Sequence, residues 1–107
     1  MPLVPFATVL KRDIHFIKHG HEFGAATATE CEQMADAFMF GAINADTHEC
    51  ITPSRQRRKR MNFTNVHFGA AIIVPSILLT FYIPRPDTVL IHGGVANLHA
   101  HYCMRDN

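Results

Sequence analysis

No stretch of this 107-residue chain is apolar for long enough to cross a bilayer. The longest apolar run, Ala70 to Ile83, is interrupted by Pro75 and Ser76. It reads as buried strands, so no membrane association is expected. The opening MPLVPFATVLKRD has no charged segment ahead of an apolar one and no clear cleavage site, and is not expected to act as a signal peptide. Cysteine is scarce and odd in number: Cys31, Cys50 and Cys103 stand at irregular spacing. That pattern gives no disulfide framework and favours a reducing, cytoplasmic compartment. There is no CxxC pair, no HExxH, no internal repeat and no low-complexity tract. The net charge is only +1, so no global field marks a nucleic-acid partner.

What is present is a globular composition, 48% hydrophobic and 18% charged. The length suits one domain over residues 1–107, with residues 1–5 as a loose, proline-containing arm. The positive charge is gathered in one place. Arg55, Arg57, Arg58, Lys59 and Arg60 supply half of the ten basic residues. The eight histidines would make the protein strongly cationic below about pH 6.5.

Periodicity predicts helices first and strands afterwards, an α+β fold. From Phe6 the pattern is helical, with Phe6, Leu10, Ile14 and Ile17 on the expected buried face and Lys11, His15, Lys18 and Glu22 on the other, beside His19. Gly20 is the expected end. Thr27 and Glu30 fit a capping box, opening a helix with the stripe Cys31, Met34, Ala35 and Phe38 that stops at Gly41. Residues 42–54 read as a loop. Arg57–Phe63, Val66–Val74 and Ile77–Ile83 read as three strands whose short links imply an antiparallel meander. Asp87 is expected to cap a short helix ending near Ile91 and stopped by Gly93-Gly94, and Leu98–Met104 is expected to add a last strand.

Alternation then assigns faces. Ile77, Leu79, Phe81 and Ile83 point one way, and Met61 and Phe63 oppose Arg60 and Asn62. One sheet face is thus expected to be apolar and to cover the helices, while Arg60, Asn62, Thr80 and Tyr82 share the opposite, polar face. RNA can be cut without metal because its own 2′-OH is the nucleophile. The protein supplies an acid, a base and donors for the phosphate. Histidine serves the proton transfers, and Arg or Lys the phosphate. His15, Lys18, His19, Arg60 and Thr80 contain every part, and Tyr82 is a further candidate donor on the same sheet face. Arg57, Arg58 and Lys59 are the expected contacts to RNA backbone. Against this stand plainer readings: paired histidines on a helix are commonly just solvated, and a basic run is commonly a solvated loop. A rival chemistry is zinc, with His99, His101 and Cys103 sharing one face of the last strand as half a site, and a shorter His19-x-His21 pair. No second half with a recognised spacing is visible, so no metal and no cofactor are expected.

The segment His15-Phe-Ile-Lys-His-Gly-His-Glu-Phe-Gly24, the helix from Glu30 to Phe38, Thr64–Gly69 and Leu79–Pro84 together resemble the small bacterial toxin domains with an H-F-x-K-H-G-x-E-F-G motif. These belong to the barnase/EndoU/colicin/RelE-like ribonuclease superfamily. The resemblance spans about residues 12–86. It implies helices packed on an antiparallel sheet, metal-independent RNA cleavage and a cognate immunity protein or antitoxin. It also implies delivery into a target cell as part of a toxin system. By position it assigns Lys18, His19, Thr64 and Thr80, with His15 at the motif's start. Two departures stand out: Cys31 replaces the motif's Tyr, and Ala70–Leu79 is unusually apolar. The second leaves open a homodimer, and a non-catalytic binding or structural domain on the same fold.

Overall fold

The computed structural model describes residues 3–52 and 56–105. Among these residues four α-helices and a four-stranded antiparallel sheet in the order β1-β2-β3-β4 make an α+β fold. The elements are α1 (Val9–His19), α2 (Ala28–Phe40), β1 (Thr47–Thr52), β2 (Arg57–Asn62), β3 (His67–Ile72), β4 (Ile77–Tyr82), α3 (Pro86–Ile91) and α4 (Val95–Met104). Among the described residues no helix is long and apolar enough to cross a membrane.

Both early helices start where a threonine can cap them. Thr8 Oγ accepts the Lys11 amide, and Thr27 Oγ accepts the Glu30 amide at 3.1 Å. A 3-10 turn, Gly20–Phe23, follows α1, and Gly24 closes it at φ 67°, a conformation open to glycine at no steric cost. The stripe of α2 is buried as expected: Cys31, Ala35 and Met39 are inaccessible and Met34 and Phe38 pack beside them. Phe6, Ala71, Leu78 and Phe81 complete this core from the sheet side.

The helix α1 is turned over relative to expectation. Leu10, Ile14 and Ile17 are 68%, 43% and 77% exposed, while His15 is buried. The reason is a hydrogen-bonding demand. β4 is an edge strand with outward-facing backbone groups, and unpaired edge groups must find partners. His15 Nε2 lies 2.6 Å from the Phe81 carbonyl and 3.0 Å from its amide, Pro5 takes the Leu78 amide, and Glu22 Oε1 takes the Ile83 amide. The His15–His19 side of α1 therefore meets the sheet, with Lys11 and Lys18 exposed at its margin. The arm is docked from Leu3 onward, since Val4 donates to Asp36 and Phe6 to Glu32. The arm's first two residues, positions 53–54 of the expected loop, and Arg55 lie outside the described residues.

Both sheet faces are covered, which a half-polar sheet was not expected to allow. Arg58 and Arg60 point to α2, whereas Lys59 and Met61 point to α4, where Met61, Phe68, Leu98 and Tyr102 form a second core. The β3–β4 register slips between Ala70↔Thr80 and Ala71↔Leu78, leaving Leu79 as the extra residue of a bulge. Leu78 and Phe81 consequently share the α2 face, and Thr80 and Tyr82 lie on the α4 side. Two further expectations change. The 42–54 segment contains β1, paired in the register Cys50↔Lys59, and Leu98–Met104 is part of a helix, not a strand. The helix α3 starts with Pro86 at its first turn and ends at Ile91.

Candidate active site

Glu22 is the organising residue. Its Oε1 accepts the Ile83 amide at 2.7 Å, pinning the carboxylate to the end of β4. Its Oε2 lies 2.6 Å from His19 Nδ1. A carboxylate on Nδ1 fixes the ring's tautomer, with Nδ1–H donating and Nε2 facing away. Nε2 makes no hydrogen bond among the described residues. The same ring stacks on Tyr82, with centroids 5.3 Å apart at 27°. Two constraints thus hold one imidazole at the edge of β4.

A cleft of about 350 Å³ opens beside it, lined by Lys11, Ile14, Lys18, His19, Leu79 and Thr80 among others. The ammonium groups of Lys11 and Lys18 have no ion-pair partner among the described residues. Thr80 also borders a second cleft of about 270 Å³ on the α4 side, with Arg57, Lys59, Tyr82 and Arg105. Arg57 Nε is buried there without a hydrogen-bond partner among the described residues. The two clefts adjoin at Leu79 and Thr80, so cations flank this part of β4 on both sides. Burial and hydrogen bonding to Tyr102 push the Tyr82 phenol well above its ordinary range, so it stays protonated.

The structure thus brings His19, Lys18, Thr80 and Tyr82 together. Other expected members fall away. His15 lines the same cleft from beneath, but its Nε2 is committed to Phe81, its Nδ1 faces Cys31 Sγ at 3.6 Å, and it is 7% exposed. Arg60 is on the opposite sheet face from Thr80, ion-paired to Glu49 at 2.9 Å and donating to the carbonyls of Phe38 and Gly41. It neutralises and caps the C-terminal end of α2. Thr64 sits in the exposed β2–β3 turn, its amide on Asn62 Oδ1. The run Arg57–Lys59 is not one basic patch, because successive residues of β2 point to opposite faces. Arg58 pairs with Glu49 and donates to Met39 O, and Lys59 is buried against the carbonyls of Tyr102 and Arg105. Arg57 and Lys59 line the cleft on the α4 side, and Arg58 faces away from it.

A larger cleft of about 650 Å³ lies against α2 and includes Arg60 and His67. Glu22 and Arg60 are engaged as above, while His67 lies edge-on to Phe23 and Phe81 and makes no side-chain hydrogen bond among the described residues. Burial depresses His67 and, together with nearby His19, His15 below the ordinary imidazole value of 6.5. The Phe81 hydrogen bond and the Glu22 charge raise His15 without offsetting this. The sign follows. Both rings fold neutral and must gain a proton more readily when unfolded. Their contribution is present above pH 6.5 and is lost as pH falls toward the lower folded values. The melting temperature should therefore drop between about pH 7 and pH 5. Thermal melts by circular dichroism read this directly, and a flat or rising profile would contradict it.

Cysteine also departs from expectation. Cys50 and Cys103 form a disulfide, with Cα atoms 6.1 Å apart, and Cys31 alone is free and buried. The bond removes the argument for a reducing compartment that the odd count supported. The ligand types near the C-terminus regroup too. On a helix His99 and Cys103 share a face and His101 does not, while Cys50 arrives from β1. His19 is committed to Glu22 and His21 is exposed.

The molecule is therefore an α+β domain with a carboxylate-anchored histidine at a cation-flanked strand edge. No family model matches the chain, and neither a curated protein nor a solved structure does.

Proposed function

We propose that the protein is a metal-independent ribonuclease of the bacterial toxin type, with His19 as its proton-transfer group. The observation that carries this reading is the Glu22–His19 pair held against Tyr82, with Nε2 turned from its carboxylate and Lys18 and Thr80 in the same cleft. Glu22 supports Nδ1–H, so Nε2 is the base that takes the 2′-OH proton, and the carboxylate stabilises the imidazolium that results. The freed oxygen attacks the adjacent phosphorus, forming a cyclic phosphodiester and expelling the 5′-oxygen. The proton for that oxygen comes from the cleft's ammonium groups or from solvent. Lys18 and the Thr80 hydroxyl meet the crowded phosphate as charge builds on it. Backbone phosphates on either side meet Lys11 and Arg57 along the β4 edge. The K-H-G and T-F-Y motifs that carry the resemblance to the toxin domains contain Lys18, His19, Thr80 and Tyr82, and this convergence supports the family reading.

The test is to incubate the oxidised chain, purified without a polyhistidine tag, with total RNA in buffer with and without EDTA. Cleavage that is indifferent to EDTA and leaves cyclic phosphate ends is expected. A folded protein that leaves RNA intact would overturn the reading. A second reading, a non-catalytic protein-binding domain, is favoured by one observation: the exposed stripe Leu10, Ile14 and Ile17 on α1, with Ile14 also lining the cleft. On the catalytic reading the same stripe is where an immunity protein would sit to close the cleft. On the other it serves a partner, or a second copy, with no cleavage at all.

A further inference from the structure

The β1 and α4 elements build a second cluster that the proposed chemistry does not use. His99 and Cys103 stand one helical turn apart on the face of α4 that meets the sheet, and Cys50 faces them from β1. His99 Nε2 lies 3.5 Å from Cys103 Sγ and 3.3 Å from the Lys59 carbonyl, the strand residue paired with Cys50. The donor atoms of Cys50, His99 and Cys103 all lie within 4.8 Å of one another. His99 is buried and the two cysteines are half-buried. Tetrahedral zinc, with bonds of about 2.0–2.3 Å to nitrogen and sulfur, needs donors roughly 3.3–3.8 Å apart. Small side-chain rotations reach that arrangement once the two sulfurs are no longer bonded to each other.

We propose that Cys50, His99 and Cys103 form a zinc site in the reduced protein, with water as fourth ligand, and that this site alternates with the Cys50–Cys103 disulfide. The interconversion balances with a dithiol reductant. The dithiol gives two electrons and two protons to the Cys50–Cys103 bond, leaves as its own cyclic disulfide, and yields two cysteine thiols. Zinc then displaces the two thiol protons and takes the His99 Nε2 lone pair, the ring giving up its Lys59 hydrogen bond and carrying its proton on Nδ1. Soft thiolates with one imidazole suit zinc over magnesium or calcium, which require oxygen donors. Either state links the outer strand β1 to α4, whose own anchoring is through Leu98 and Tyr102 against Met61 and Phe68. The cross-link therefore survives a change of redox compartment, the metal replacing the disulfide.

Cobalt(II) is the probe, added to untagged full-length protein before and after reduction with a phosphine under anaerobic conditions. The expected result is a visible spectrum of tetrahedral thiolate-bound cobalt in the reduced protein alone, bleached by zinc. Cys103→Ser and His99→Ala should each lose it, and His101→Ala, on the other face of α4, should keep it. A second measurement needs no variant to fold. Zinc should slow alkylation of both Cys50 and Cys103 in the reduced wild-type chain by about tenfold or more, because a metal-bound thiolate is a poor nucleophile. Reduced protein that gives no such spectrum, or equal alkylation of both residues with and without zinc, overturns the site.

Discussion

His19→Ala should lower the rate of RNA cleavage by about 10²- to 10⁴-fold, the range for losing a positioned general acid or base. The fold should survive it. The His19 side chain is partly exposed, and its one hydrogen bond among the described residues is to Glu22, which keeps its second bond to the Ile83 amide. A companion variant sharpens the test. Glu22→Gln can still accept the Ile83 amide, but it turns an NH₂ toward Nδ1 and so favours the tautomer with Nε2 protonated. That ring cannot act as the base, and a loss on the order of 10² or more is expected with little change in melting temperature. Single-turnover cleavage of a labelled RNA reads both. Undiminished cleavage by folded His19→Ala protein would remove this residue, and with it the proposed centre.

The parts of the fold that were legible are those whose local signals and tertiary roles agree. Thr27, Glu30 and the Cys31–Ala35–Phe38 spacing announce α2 because the same face that is apolar is the one the sheet covers. The strands β2 to β4 carry alternation and short links, and appear within a few residues of their expected bounds. What failed did so where a polar group met a buried backbone. The wheel of α1 places Leu10, Ile14 and Ile17 inside, but the open edge of β4 needs donors and acceptors, and His15 and Glu22 supply them. Hydropathy has no term for that demand. The single bulge at Leu79 then separates Arg60 from Thr80, since one extra residue reverses every side chain beyond it.

Other misreadings have equally local causes. THECIT carries too few apolar residues to read as a strand, and its pairing with Arg57–Asn62 is set by a non-local register. The His-x-His-x-Cys alternation in α4 mimics a strand, although Leu98 and Tyr102 already stand four apart, as do His99 and Cys103. Lys59 looks like surface charge in a basic run, yet it neutralises the carbonyl end of α4. Of the candidate site, Lys18, His19, Thr80 and Tyr82 were visible as residue types at suggestive positions. Glu22 is not among those residues. The His19-x-x-Glu22 spacing, one turn apart, was the available signal.

His15 provides the sharpest separation between a structural and a catalytic histidine. His15→Ala leaves the Phe81 amide and carbonyl facing a void in a buried site beside the Phe6 ring, whose centroid lies 4.7 Å from that of the imidazole. The lost hydrogen bond to Phe81 costs about 1–3 kcal/mol and the void left by the ring adds to it, so a loss of roughly 2–5 kcal/mol is expected. For a domain of this size that is a large share of the whole stability. His15→Gln behaves differently. A carboxamide carries a donor and an acceptor, so it can meet the Phe81 carbonyl and amide together, where Nε2 in one tautomer meets only one of them. Its destabilisation should be under half that of the alanine variant, and its cleavage should stay within severalfold of wild type at a temperature where it is folded. A catalytic His15 would give the reverse pattern: two stable variants, both inactive. Urea melts paired with the RNA assay on the same three proteins distinguish the outcomes, and a stable, inactive His15→Gln would move the catalytic centre from His19 into the buried floor of the cleft.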